Sequence, residues 1–411
     1  MSCHICFKSE HMTTHAVLAR IYNDNLRLLE TKAYDPYYAE SLFKGPWGAL
    51  FYLFYYERYI DNREQHAVKW LQTLYNTLQP QPTADYSYCS GPTGVFWLLH
   101  HLHHHQFIDI DIEWLASDFI ANAIRESDQH LSQHNFDLLH GSAGICHYLL
   151  AYHQQKAVRA HLEKFADTLL TASRMTDKGR SLPVFVMFET PVETGVDTFS
   201  LAHGTCSLLI LLGKMYQADI ASNTCKQLIT ECISFMWNHQ NERRPEVPHA
   251  LFPGILDGQQ PFSRLSWCYG DFNVALALWH CGHYLQEDQW KQQALDVMRY
   301  SLNRNTDATA GIVDACLCHG SAGVAAFYRK FWYATQEPAF YAAAEHWHNN
   351  TLEKVLFSEE PHIHGIRGWE GIDKQWEYCW DLLDGSSGIG LSLLSHIQPG
   401  PLPWDEALLL S

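Results

Sequence analysis

The sequence lacks several features that mark common classes of protein. Basic residues are few, with 28 Lys and Arg against 45 Asp and Glu, and the net charge of −17 excludes the basic field that nucleic-acid binding needs. No apolar run approaches the roughly 18 residues of a membrane helix. The N-terminal stretch has no apolar segment of the secretory type, so we expect a cytoplasmic protein. Hydrophobic residues make up 47% and charged residues 18%, which excludes disorder and provides for a large core.

Cysteine and histidine are abundant, at 12 and 26 of 411 residues. Without a secretory signal, the cysteines indicate free thiols, metal ligands or nucleophiles rather than disulfides. Five histidines fall in the stretch LLHHLHHHQF near residue 100, where a helix would spread their rings around its surface. We interpret this run as an exposed helical face with incidental metal affinity. Residues 1–15, with Cys3, His4 and Cys6, are expected to form a mobile and inert N-terminal segment, in which Met12 is a second candidate start.

A short signature occurs seven times and consists of a glycine, two residues, a second small residue and an apolar run. The first glycines are separated by 46, 50, 63, 66, 50 and 65 residues, and each step is long enough for two helices with loops. Apolar residues after the signatures follow helical spacing, and second helices are predicted over 157–172 and 290–302. The copies are Gly45-Pro-Trp-Gly48, Gly91-Pro-Thr-Gly94, Gly141-Ser-Ala-Gly144, Gly204-Thr-Cys-Ser207, Gly270-Asp-Phe-Asn273, Gly320-Ser-Ala-Gly323 and Gly385-Ser-Ser-Gly388.

The seven copies are equally complete, which favours a closed ring over an open solenoid, because the terminal repeats of a solenoid are usually atypical. We therefore predict a single all-α domain over residues 1–411, an α/α toroid (double α-barrel) of seven helical hairpins. The glycine-rich helix starts would converge at one end around a central cavity, where we expect the functional site. Extended segments are scarce, and residues 181–188 are the best candidate for a short strand.

Two of the signatures carry cysteine next to the glycine. Cys268 lies two residues before Gly270, and Cys318 and His319 directly precede Gly320. If the signatures converge, these three side chains meet although 50 residues separate the two motifs. Two thiolates and an imidazole suit Zn²⁺ and leave a fourth tetrahedral position open, as in catalytic zinc sites. The alternative is that the cysteines are merely buried beside helix-packing glycines.

The motifs WCYG at 267–270, CHG at 318–320 and AHG at 202–204, together with the sevenfold signature, resemble those of the lanthionine synthetase C-like cyclases, the LanC proteins of lantibiotic biosynthesis. The resemblance covers essentially the whole chain. It implies an α/α toroid with Cys268, Cys318 and His319 as ligands of a catalytic zinc ion. It also implies the reaction, in which a cysteine of a dehydrated precursor peptide adds to dehydroalanine or dehydrobutyrine and forms a lanthionine or methyllanthionine thioether.

The same resemblance implies roles for four further residues. His203 matches the catalytic histidine of the family and would handle the proton that the α-carbon receives. Asp137 matches an aspartate that would orient or tune this histidine. Arg264 matches an arginine near the zinc site, which could offset thiolate or enolate charge, and Tyr269 is a candidate for hydrogen bonding there.

The chain departs from the family pattern at two signatures. Asp271, Phe272 and Asn273 follow WCYG where the family usually has a Pro-Gly pair, and Ser207 replaces a second glycine. We expect both changes to alter helix starts and the peptide cleft rather than the metal ligands. The implied partners are the core and leader of the precursor peptide, a separate dehydratase and an ABC exporter, in a complex peripheral to the membrane and without nucleic acid.

Three other functions fit parts of the sequence. A LanC-like protein could add glutathione to dehydroamino acids, or a non-catalytic scaffold could bind zinc and peptide. A scaffold leaves the intact His203 and Asp137 unexplained. A toroidal glycosidase would need paired carboxylates, for which Asp137 and Asp384 are the candidates, and it leaves both cysteine motifs unexplained.

Overall fold

The computed structural model describes residues 12–78, 85–183, 197–244, 248–256, 262–371 and 374–411. Seven inner helices each begin directly after the first glycine of a signature, as the repeat predicts. The glycine is the N-cap residue in every copy and is extended in six of them, whereas Gly270 has a φ of 104°. The inner helices are α2 (Pro46–Tyr59), α4 (Pro92–His104), α6 (Ser142–Leu149), α8 (Thr205–Gln217), α10 (Asp271–Tyr284), α13 (Ser321–Thr335) and α15 (Ser386–Ile397).

Seven outer helices complete the hairpins, and two of them confirm the second helices predicted near 157–172 and 290–302. They are α1 (Thr14–Thr31), α3 (His66–Tyr75), α5 (Ile112–Ser132), α7 (Lys156–Ala172), α9 (Ser222–Trp237), α11 (Asp288–Ser301) and α14 (Pro338–Lys354). A short helix, α12 (Asp307–Ala310), and three 3₁₀ segments, Pro36–Tyr38, Leu150–Tyr152 and Pro403–Leu408, lie in the connections. The last inner helix, α15, packs against α1 and α2, which closes the ring.

Burial separates the inner helices from the outer ones. In α2, 12 of 14 residues are buried, whereas in α11, a helix of the same length, five residues are buried and they share one face. A helix that is apolar all round is stable only when neighbours surround it, and an amphipathic helix needs a single covered face. The sequence pattern of each helix therefore assigns it to the inner or the outer layer.

The loops before the inner helices are joined to one another by backbone hydrogen bonds. Most of these bonds involve the residue two positions before a signature glycine. The N–H groups of Phe43, Cys89, Cys268 and Cys318 donate to the equivalent carbonyl of a neighbouring loop, at 3.4, 2.9, 3.3 and 2.9 Å. The cysteines of the fifth and sixth signatures thus occupy the position that carries the loop-to-loop contacts around the ring.

The second glycine of a signature permits a close approach between loops. A Cβ atom at Gly144 would lie 2.0 Å from the Leu138 carbonyl oxygen and 2.5 Å from Cβ of Tyr88, in the preceding loop. Both distances are far below van der Waals contact, so a larger residue cannot occupy this position without displacing the loops.

Two signatures have a polar residue at that second position. Ser207 donates its hydroxyl to the Gly204 carbonyl at 3.0 Å. Asn273 accepts from the Leu201 N–H at 2.6 Å and donates to the Ser266 carbonyl at 2.9 Å. Asn273 thus joins the fourth and fifth loops through the Leu201 N–H, whereas Ser207 bonds within its own signature.

The described strands form two antiparallel hairpins, β1 (Arg174–Thr176) with β2 (Gly179–Ser181) and β3 (Ile366–Glu370) with β4 (Gln375–Cys379). Of the strand predicted at 181–188, only Ser181 belongs to a strand, as the last residue of β2, and residues 184–188 lie outside the described ranges. Residues 1–11, with Cys3, His4 and Cys6, also lie outside them, whereas Thr14 already belongs to α1. No helix in the described part of the chain is long and apolar enough to cross a membrane.

The histidine run differs from its sequence interpretation. It lies on the inner helix α4, where His101 is 2% exposed, and among the five histidines only His104 is exposed. The interpretation as an exposed face is therefore wrong, because the ring surrounds most of this helix.

The C-terminal segment, residues 403–411, lies among the inner helices. Leu408, Leu409 and Leu410 are fully buried. The Leu408 carbonyl accepts from the indole N–H of Trp267 at 2.9 Å, and Lys214 Nζ donates to the Ser411 oxygen at 3.1 Å. This segment therefore connects several inner helices and reaches the residue that precedes Cys268.

Candidate functional site

The structure brings Cys268, Cys318 and His319 together at the end of the ring where the inner helices begin. Their sulfur and ring nitrogen atoms lie within 4.8 Å of one another. The Trp267 and Cys268 N–H groups both donate to the Cys318 carbonyl, at 2.9 and 3.3 Å, which holds the two loops side by side. All three residues are half-buried, so each keeps some contact with solvent.

The environment of Cys268 favours its thiolate form. The hydrogen bond from the Cys318 thiol lowers the pKa of Cys268, and the His319 ring, the Ser266 hydroxyl at 3.5 Å and the charge of Arg264 act in the same direction against the effect of burial. The same hydrogen bond, together with burial, raises the pKa of Cys318. The thiolate form is thus favoured at Cys268, and the protonated thiol is favoured at Cys318.

The donor set fits a zinc ion. Two thiols and an imidazole within reach of one another are soft and borderline ligands, which bind Zn²⁺ in preference to hard cations. Carboxylates flank the ring of His319, with Asp314 Oδ2 3.8 Å from Nε2 and Asp384 Oδ1 3.8 Å from Nδ1. A carboxylate beside a ligand imidazole is the usual support of such a site. Cys316, with Asp314 and His319, forms an overlapping group that sequence analysis missed.

His203 lies beside this cluster and is held by Asp137. Its Nδ1 is 2.7 Å from Asp137 Oδ2, and the aspartate side chain is 2% exposed against 31% for the histidine. Burial alone lowers the pKa of His203, but the hydrogen bond and charge of Asp137, with a contribution from Cys268, outweigh it and raise that pKa above its ordinary value. The pair therefore presents a histidine in a fixed orientation that keeps its proton more readily than a free imidazole.

Ser200 links the histidine to the metal-ligand loop and was not found by sequence analysis. Its hydroxyl accepts from the His203 N–H at 2.8 Å and donates to the Cys268 carbonyl at 2.5 Å. No motif distinguishes a serine three residues before the histidine, so the link became visible only when residues 200 and 268 met in space.

Tyr269 and Arg264 lie on opposite sides of Cys268 in the sequence and differ in exposure. The Tyr269 ring is 6.5 Å from that of His203. Burial, followed by the charges of Cys268 and Asp137, raises the pKa of Tyr269, so its hydroxyl remains a donor. Arg264 is exposed, and it acts on the site through the charge that helps to lower the pKa of Cys268.

His140, which precedes the third signature as His203 precedes the fourth, stacks on His203 with ring centres 6.0 Å apart. Its backbone N–H donates to Asp137 Oδ1 at 2.8 Å, so the aspartate holds both histidine loops. Burial lowers the pKa of His140, which favours its neutral form. The two neighbouring imidazoles therefore have opposite protonation preferences.

The two carboxylates considered for glycoside chemistry are engaged separately. Asp137 is paired with His203, whereas Asp384 binds Lys44, which also contacts Asp381 at 3.2 Å. Each carboxylate is therefore engaged by a cationic or imidazole side chain of its own.

The β3–β4 hairpin lies beside the cluster of Cys268, Cys318 and His319. The Trp369 N–H donates to Asp314 Oδ2 at 2.8 Å, which ties the hairpin to the carboxylate beside His319. The rings of Trp369 and Trp376 lie 5.4 Å apart across the two strands, and Arg367 lies over the Trp376 ring. The hairpin thus places aromatic and cationic groups next to the site.

Comparisons with known proteins identify a family and a fold. The sequence profile of the lanthionine synthetase C-like protein family matches residues 37–409. Nisin cyclase has a similar structure, with a TM-score of 0.72 and 17% identity over 95% of this chain and 97% of that chain, and the predicted all-α toroid is thereby confirmed. An unsaturated glucuronyl hydrolase from Streptococcus agalactiae is more distant, with a TM-score of 0.50 and 12% identity over 96% of this chain and 95% of that chain. The search of curated protein sequences gives no significant match.

Proposed function

Because the chain belongs to the lanthionine synthetase C-like family, we propose that it is a zinc-dependent lanthionine cyclase. It would add cysteine thiolates of a dehydrated precursor peptide to dehydroalanine or dehydrobutyrine. The observation that carries the proposal is the convergence of Cys268, Cys318 and His319 beside a histidine held by a buried aspartate. This arrangement provides ligands for one metal ion and a separate group for proton transfer in one cavity.

The ligands of the ion are Cys268, Cys318 and His319. Zinc, when bound there, supplies a Lewis acid that keeps a substrate thiol deprotonated at neutral pH. The substrate thiol releases its proton to solvent. The S–Cβ bond then forms as the Cα–Cβ π bond breaks, which leaves an enolate whose α-carbon must gain a proton, and the proton donor is re-protonated from solvent. His203 supplies that proton, and Asp137 fixes its Nδ1 so that Nε2 is the nitrogen left for the substrate.

Tyr269 and Arg264 stabilise negative charge in this scheme. The Tyr269 hydroxyl, protonated because of its raised pKa, donates a hydrogen bond to an anionic oxygen in the cavity. Arg264 adds a positive charge that already favours the thiolate of Cys268. Neither residue needs to give up a proton during the reaction.

The wider setting is part of the proposal. In this proposal the seven hairpins form one cyclase domain, and a separate dehydratase prepares the peptide. The peptide partner has a core that is cyclised and a leader that is recognised. The protein works in the cytoplasm, at times in a membrane-peripheral assembly with the dehydratase and an ABC exporter.

The test uses a synthetic peptide that contains one dehydroalanine and one cysteine, incubated with the zinc-loaded protein. Cyclisation leaves the peptide mass unchanged and removes its free thiol, so alkylation followed by mass spectrometry measures product directly. We expect loss of alkylation with the wild type, and with Cys318→Ala loss of activity together with the zinc ion of the cysteine site. His203→Asn should retain zinc and lose activity. A wild type that binds no zinc, or a fully active Cys318→Ala, would contradict the proposal.

Added glutathione separates cyclisation from intermolecular thiol transfer. A cyclase forms the ring with excess glutathione present, because the peptide thiol is held near its acceptor at a high effective concentration. Accumulation of a glutathione adduct with no ring, seen as a mass increase, would favour the transferase. A folded, zinc-bound protein that forms neither product would favour the scaffold.

A further inference from the structure

A second group of metal-binding side chains lies away from the thiol cluster. Helix α4 starts at the site end of the ring and has 13 residues, so its last turn is roughly 20 Å away at about 1.5 Å per residue. His101 lies in that turn and His105 immediately follows it. Glu406, from the buried C-terminal segment, joins them although 301 residues separate it from His105.

The distances within this group are close to those of a metal site. Glu406 Oε2 is 2.9 Å from His101 Nδ1 and 3.1 Å from His105 Nε2. Around a four-coordinate zinc ion with bonds of about 2.0–2.1 Å, neighbouring ligand atoms are about 3.3 Å apart. Glu406 therefore needs to withdraw from each ring by only a few tenths of an ångström to admit an ion, and the ligand atoms of the three residues all lie within 4.8 Å of one another.

The outer nitrogen of His101 has a suitable partner. Its Nε2 is 2.9 Å from the Tyr55 hydroxyl, whose oxygen can accept a hydrogen bond from the ring N–H when Nδ1 serves as the metal ligand. The ring also stacks on Trp97, with centres 4.9 Å apart. Packing and hydrogen bonding thus fix this ligand before any ion arrives.

The other two members leave a path for an ion. The side chains of His105 and Glu406 are 23% and 34% exposed, whereas that of His101 is 1% exposed. An ion from solvent would meet His105 and Glu406 first and complete its coordination with the buried ring. Two imidazoles and a carboxylate are a common donor set for zinc and leave a position for water.

We propose that His101, His105 and Glu406 bind a second Zn²⁺ ion, which fastens the C-terminal segment to α4. Binding moves the Nδ1 proton of neutral His101 to Nε2, and His105 likewise carries its proton on Nδ1. Without the ion, the N–H groups of His101 and His105 both donate to Oε2 of Glu406, and the bound ion takes the place of these two donors. This site is separate from Cys268, Cys318 and His319, and it needs neither thiolate.

Metal stoichiometry tests the proposal. Protein stripped with a chelator is titrated with Zn²⁺, and bound metal is measured after gel filtration. We expect two ions per chain in the wild type, one in Cys318→Ala, one in His105→Asn and none in the double variant. Glu406→Gln changes the ligand on the C-terminal segment and should also leave one ion per chain, as in His105→Asn. His104→Asn is the matched control, an exposed histidine one position away, and should retain both ions.

Cobalt substitution identifies which site each ion occupies. The His105→Asn protein should keep the intense sulfur-to-cobalt absorption of a thiolate site, and Cys318→Ala should show only weak bands of a nitrogen and oxygen site. Circular dichroism checks that every variant is folded.

One ion in the wild type and none in Cys318→Ala would overturn the proposal and leave the cyclase site intact, and the histidines and glutamate would then form a hydrogen-bonded contact without metal. A wild type that binds an ion at His101, His105 and Glu406 but none at the two cysteines would instead contradict the proposed function.

Discussion

Removing the guanidinium of Arg304 should destabilise the fold more than any surface charge change. Arg304 and Asp271 are both fully buried, and Arg304 Nη1 lies 3.0 Å from Asp271 Oδ2. Arg304 also donates to the carbonyls of Thr309 and Ser263. Asp271 in turn accepts from the Phe252 N–H at 2.8 Å. Arg304→Met keeps the volume of the side chain and deletes all of its donors.

The expected loss of stability follows from the Asp271 carboxylate, which stays buried without its partner. Breaking a buried ion pair from one side costs about 3–5 kcal/mol, because the surviving charge is neither solvated nor paired. Burial already raises the pKa of Asp271, and Arg304 is the main group that opposes this effect, so the variant should take up a proton on folding near neutral pH. We therefore expect the free energy of unfolding to fall by about 4 kcal/mol, a large part of the stability of an ordinary domain.

Urea unfolding followed by circular dichroism measures this difference. The matched control is Arg299→Met, at an arginine that is 45% exposed and pairs with Glu337, where a loss below about 1 kcal/mol is expected. Adding Asp271→Asn to Arg304→Met should cost less than the sum of the two single changes, because no lone charge is left. An Arg304→Met protein as stable as the Arg299→Met control would refute the reasoning.

Three further predictions concern the site and its loops. Asp137→Asn should lower the pKa of His203, so the alkaline fall in cyclisation rate, where the histidine loses its proton, moves to lower pH; an unchanged rate–pH profile would contradict this. Ser200→Ala should reduce kcat about tenfold, the equivalent of about 1.4 kcal/mol, with zinc content unchanged, whereas loss of zinc would indicate a purely structural role. Gly144→Ala should lower the melting temperature strongly because its Cβ would meet a carbonyl at 2.0 Å, while the control Gly400→Ala, with no atom within 4 Å, should leave it unchanged.

The fold was predictable because the repeat acts through short stretches of sequence. Each signature places a glycine at a helix N-cap and a small or hydrogen-bonding residue three positions later, and both requirements are local. The convergence of Cys268 with Cys318 then follows from the equivalence of the loops, without knowledge of any individual contact. The glycine at each helix N-cap and the small or hydrogen-bonding residue three positions later were therefore enough to predict the architecture from the spacing of the signatures.

The remaining contacts depend on chain segments that no local pattern relates. Glu406 reaches His101 from 305 residues away, and nothing in the histidine run indicates that the ring surrounds it. Asp271 replaces a residue of the family pattern and pairs with Arg304, 33 residues later, so the effect of the replacement could not be judged from the motif alone. Such pairings require the folded backbone.

The contact between α15 and α2 has a consequence for the order in which the protein can be made. Residues 386–397 must be available before residues 46–59 have their last neighbour, so the ring stays open during most of synthesis. Until then the apolar inner helices at the gap lack cover, and long-range closure of this kind is slow relative to local helix formation. We therefore expect nascent chains that lack α15 to engage chaperones, and the emergence of residues 386–397 from the ribosome to be the step that allows the ring to close.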